Sequence, residues 1–60
     1  MKFRATIRMS STELKATTMA EAKREASMLA TRFDWITLSE MIDGQWVHVA
    51  CRMARWNNVK

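Results

Sequence analysis

Asp43-Gly44 sets the tightest limit on the architecture of this sequence. A two-residue turn between antiparallel strands needs positive φ at its central positions, and Asp-Gly is among the strongest short signals for one. The flanking segments, Trp35 to Ile42 and Gln45 to Trp56, read as the two strands of a hairpin. A tight turn predicts that Ile36 faces Cys51, Leu38 faces Val49 and Glu40 faces Val47 on one side of the ribbon. On the other side Trp35 meets Arg52, Thr37 meets Ala50, Ser39 meets His48 and Met41 meets Trp46. The first set is aliphatic apart from Glu40, which is expected near an edge with its carboxylate in water. That side is expected to pack on a helix.

Upstream, Phe3, Ala5, Ile7 and Met9 alternate with Lys2, Arg4, Thr6 and Arg8, the period of a half-buried strand. Ser10 with Glu13 fits a helix capping box, but a two-residue turn at Ser10-Ser11 pairs Ile7 with Leu14, Arg8 with Glu13 and Ala5 with Ala16. The pairing predicts a short second strand over Thr12 to Thr17. Thr18 and Glu21 make a better capping box, and Met19, Ala22, Ala26, Leu29 and Phe33 recur at helical spacing behind it. The alanine-rich stripe predicts a helix lying close against a sheet.

With no proline, a single glycine and no repeat, the 60 residues contain no linker and read as one small domain, residues 1–60. The elements build a two-layer α+β fold in the order ββαββ: an antiparallel sheet of three or four strands with one helix on one face. The predicted core is Phe3, Ala5, Ile7, Leu14, Ala16, Ala22, Ala26, Leu29, Phe33, Ile36, Leu38, Ile42, Val47, Val49, Cys51 and Met53. A chain this short hides only about 60% of the surface of its unfolded form, which argues against a buried catalytic cleft.

One cysteine makes no internal disulfide, and no apolar run follows Met1, so a reducing, cytoplasmic setting is expected with no membrane span. The net charge of +4 favours anionic partners, nucleic acid foremost. The helix-free sheet face is expected to collect Lys2, Arg4, Arg8, Lys15 and Arg52 as cations, with Trp35, Trp46, Trp56 and His48 as stacking surfaces. Arginine and lysine neutralise phosphate while indoles stack on bases, so the reading is a non-enzymatic binding module for nucleic acid.

Two other readings use the same face: docking on a host protein to inhibit it, and pairing with a second copy as a homodimer. Local packing would also occupy indoles, through Trp35 against Arg52 or Met41 against Trp46. His48 and Cys51, three apart in a strand, are expected on opposite faces, which rules out a dyad between them, and two such residues are too few for a structural zinc site. No metal or other cofactor is implied. The acidic residues form no facing pair for acid–base work. KFRATIRMSS followed by TTMAEAKREA resembles very small proteins of phages and mobile elements, in which a hairpin precedes an alanine-rich helix and a second hairpin. The resemblance implies a stand-alone interaction protein.

Overall fold

The computed structural model describes residues 1–59. Phe3–Ile7 forms β1, Ser10–Glu13 β2, Met19–Leu29 α1, Ile36–Ile42 β3, Gln45–Arg52 β4 and Trp56–Asn58 β5. The strands make one antiparallel sheet in the order β2-β1-β3-β4-β5, with α1 across one face. The architecture is therefore α+β in two layers, but the sheet has five strands. The run expected to continue from Gln45 to Trp56 breaks after Arg52, and the chain folds back so that Trp56 pairs with Arg52.

The first hairpin turns at Arg8-Met9, two residues earlier than Ser10-Ser11. Ile7 pairs with Ser10, Ala5 with Thr12 and Arg4 with Glu13, and the Leu14 amide donates to the Phe3 carbonyl at 2.8 Å. This register carries Leu14 to the level of Phe3, and both are buried. Burying a leucine is worth about 1.5–3 kcal/mol, more than the roughly 0.2–1 kcal/mol of one cross-strand pair. Arg8 holds φ at 60°, the positive value that the first position of a primed turn requires.

Thr18 caps α1, its hydroxyl accepting from the Glu21 amide at 3.2 Å. The Glu21 carboxylate accepts from the hydroxyls of Thr17 and Thr18. Ala22 and Ala26 are fully buried, and their small side chains let α1 settle on β1 and β3. Glu25 reaches back from the helix to accept from the amides of Lys15 and Ala16, which ties the β2–α1 connection to it. The helix ends at Leu29, so Phe33 does not extend its stripe. Instead Thr31 to Asp34 form a turn in which the Asp34 carboxylate accepts from the Thr31 amide at 2.9 Å and from Arg8 Nε at 3.1 Å.

The Asp43-Gly44 turn forms as expected, with φ of 51° and 78°. Met41 pairs with Trp46, Glu40 with Val47 and Ser39 with His48. The register then shifts by one residue: Leu38 pairs with Ala50, Thr37 with Cys51 and Ile36 with Arg52, leaving Val49 without a partner of its own on β3, while its carbonyl accepts from the Val59 amide at 2.9 Å. Such a bulge places two residues of one strand against one of the other. Side chains alternate faces with a period of two, so everything downstream changes sides. Ala50 and Arg52 turn toward α1, and Cys51 turns away from it.

The core between sheet and helix is Phe3, Ala5, Leu14, Ala22, Ala26, Ile36, Leu38 and Ala50, with Ile7, Ala16, Met19, Ala30, Val49 and Trp56 packed against it. Leu29, Phe33, Ile42 and Met53, expected inside, are exposed. Glu40 lies on the central strand between Phe3 and Val47, not near an edge. No helix among the described residues is long and apolar enough to cross a membrane.

Candidate nucleic-acid interface

The face that α1 leaves uncovered is assembled from three registers. Arg4, Ser39 and His48 form one row across β1, β3 and β4, and Thr6, Thr37 and Cys51 form the next. The Met41 amide donates to the Lys2 carbonyl and Met41 pairs with Trp46, which makes a third row of Lys2, Met41 and Trp46. Five of the expected residues, Lys2, Arg4, Trp35, Trp46 and His48, therefore share this face.

Trp46 is half-buried because Arg4 reaches across β3 and lays its guanidinium over the indole, 4.7 Å from the ring centroid. Ser39 lies on β3 between the two strands and is buried although it faces this side. Arg4 Nε is buried with no hydrogen-bond partner, which fixes the arginine by the stacking contact and by nothing polar at that atom. His48 stands beside them, exposed, its Nε2 3.0 Å from the Ala50 carbonyl oxygen.

A second aromatic group lies at the other end of the face. Trp35 and Phe33, 58% and 86% exposed, border a cleft with Thr6, Arg8 and Thr37. Arg32 stacks on Phe33 at 5.3 Å. Trp35 lies six residue steps along β3 from the Met41–Trp46 row, about 20 Å at 3.3 Å per residue. Phe33 was expected in the core. The signal against that was local: Thr31 and Asp34 are turn formers, and they stop the helix before its stripe reaches Phe33.

Arg52 and Trp56 are corrections to the expected site. Arg52 turns to the helix side of the sheet, where it donates to the carbonyls of Thr31 and Asp34 and anchors the loop after α1. Trp56 inherits that side by pairing with Arg52; it packs against the core, and its Nε1 donates to Ser27 Oγ at 3.2 Å. Lys23 lies 6.0 Å from the Trp56 ring and donates to Asn58 Oδ1. Trp35 and Arg52 do not pair in the ladder either, since Ile36 takes that place. Lys15 sits in the β2–α1 connection, with β1 and β3 between it and Trp46. His48 and Cys51, expected on opposite faces, share the open one because the bulge falls between them.

Charge is polarised along the strands. Arg8, Arg32, Arg52 and Arg55 gather where the β1–β2 turn, the loop after α1 and the β4–β5 turn meet, and Asp34 is the acid among them. Glu13, Glu21, Glu40 and Asp43 lie toward the opposite end, where Lys2 and Lys15 also sit. Hydrogen bonding from the Thr31 amide, joined by Arg8, holds the Asp34 carboxyl below its ordinary value of 3.8 against a desolvation that raises it. Asp34 is thus a fixed anion that orients Arg8 at the edge of the cleft. Among the described residues no group of three potential metal ligands converges.

Comparison adds no relative to this geometry: no family model matches the chain, and neither a curated protein nor a solved structure is significantly similar to it.

Proposed function

We propose that this protein is a non-enzymatic binding module whose open sheet face holds a single-stranded nucleic acid. The observation that carries the reading is the pair of aromatic groups on one helix-free face, each with arginine beside it: Trp46 with Arg4, and Trp35 and Phe33 with Arg8 and Arg32. Bases stack on indole, phenyl and guanidinium planes whatever their identity, and a spacing of about 20 Å lets a short single strand bridge both groups. Lys2, Arg8 and Arg32 supply charge for phosphates. Exposed apolar surface rimmed by cations is common at contact sites and uncommon on an idle sheet face.

Titration with labelled mixed-sequence DNA and RNA single strands tests this at several salt concentrations. Two or three neutralised phosphates predict a slope of log K against log salt of about −1.5 to −2. Trp35→Ala and Trp46→Ala should each weaken binding by about 1–3 kcal/mol, and Trp56→Phe should not. Association that ignores salt but fails in Trp35→Ala would replace nucleic acid with a protein partner. Sedimentation that shows a dimer closed by this face would replace it with a second copy.

A further inference from the structure

We infer that the outer edge of β2 accepts an extended peptide of another protein as a sixth strand, whose apolar side chains enter the groove between β2 and the end of α1. This surface shares Arg8 but neither Trp35 nor Trp46 with the face described above, so the amides of β2 and the two indoles report the two readings separately.

Strand β2 is one of the sheet's two edge strands, and all its residues are exposed. The Leu14 amide donates to Phe3, so by the alternation of an antiparallel ladder Ser10, Thr12 and Leu14 direct their backbone groups to β1. The N–H and C=O groups of Ser11 and Glu13 consequently point outward. Of the devices that blunt edge strands, Ser10–Glu13 is short and carries one charge, Glu13, but has no proline, lysine or bulge.

Beside this edge, on the helix side, runs an open groove of about 570 Å³ lined by Ile7, Ser10, Thr12, Met28 and Leu29 among others. Met28 and Leu29 are 82% and 54% exposed, although they border the groove and not the distal side of the helix. Arg8 closes one end, its side chain 74% exposed beyond the contact with Asp34.

These features choose the occupant. Two copies paired edge to edge would offer each other Ser10 and Thr12, which are too short to reach Met28 and Leu29. A partner strand with bulky apolar residues at alternate positions fills the groove, and an acidic residue near one end meets Arg8. Backbone bonds would then supply affinity and the alternate side chains specificity.

Selection from a displayed library of random octapeptides against the full chain, followed by NMR titration of the enriched peptides, tests the inference. The expected winners alternate apolar residues and carry an acid, and they slow amide exchange at Ser11 and Glu13. Ser11→Pro removes an outward donor that the β1–β2 ladder does not use, and should weaken binding about fivefold or more with the spectrum of the folded chain retained. Met28→Glu should weaken it too, by placing a carboxylate in the groove. The inference fails if no alternating peptide is enriched, if enriched peptides shift Trp35 and Trp46 instead, or if exchange at Ser11 and Glu13 stays unchanged.

Discussion

The tryptophans of this chain are set to different tasks by their immediate neighbours. Trp56 is structural: its ring lies against the core and its N–H is satisfied by Ser27. Trp56→Ala should cost about 2–3 kcal/mol of stability in urea unfolding, and Trp56→Phe about 1 kcal/mol through the lost hydrogen bond. Trp35 touches little, so Trp35→Ala should change stability by under about 0.5 kcal/mol while weakening ligand binding. Asp34 is the residue whose titration folding feels. Its folded pKa lies below the unfolded value, so the ionised carboxylate adds stability that is complete above that value and disappears as pH falls through the folded one. Stability of the native chain against denaturant should therefore fall as pH drops below about 4, and Asp34→Asn should flatten that slope.

Among elements, turns and caps do much of the specification. Nothing lies within 4 Å of a Cβ built on Gly44, so the cost of Gly44→Ala comes from its φ of +78° alone, roughly 1–2 kcal/mol. Thr18→Ala should cost about 1 kcal/mol and speed amide exchange in the first turn of α1. The bulge is the more consequential device. Deleting Val49 would remove the bulge yet keep Leu38 opposite Ala50 and Ile36 opposite Arg52, so Arg52 and Trp56 would stay on the helix side. The expected result is a still cooperative unfolding transition in circular dichroism, with stability lowered by about 1–3 kcal/mol through the lost packing of Val49.

At the level of the whole molecule, stability is scarce. A 60-residue domain has about 3–9 kcal/mol in total at 0.05–0.15 kcal/mol per residue. Leu38 is fully buried on the central strand, and Leu38→Ala should remove about 2–5 kcal/mol of that. The variant should have a much lower melting temperature and a measurable unfolded fraction near 37 °C. Such a chain gains little room for a buried site, and its recognisable chemistry lies on surfaces: the open face and the β2 edge.

What was legible in the sequence was the information that neighbours carry. Asp43-Gly44 specified its own turn, Thr18 its own helix start, and the alternation from Phe3 to Ile7 its own strand; Trp46 and His48 were correctly directed outward because they lie between that turn and the bulge. Tertiary structure decided whatever depended on contacts distant in sequence. Burial of Leu14 beside Phe3 shifted the first hairpin, and a single unpaired residue at Val49 reversed the sides of Cys51, Arg52 and Trp56. A period of two has no memory of its phase once one residue is inserted, so only the packing of Ala50, Arg52 and Trp56 against the helix and its loop could reveal which face each would take.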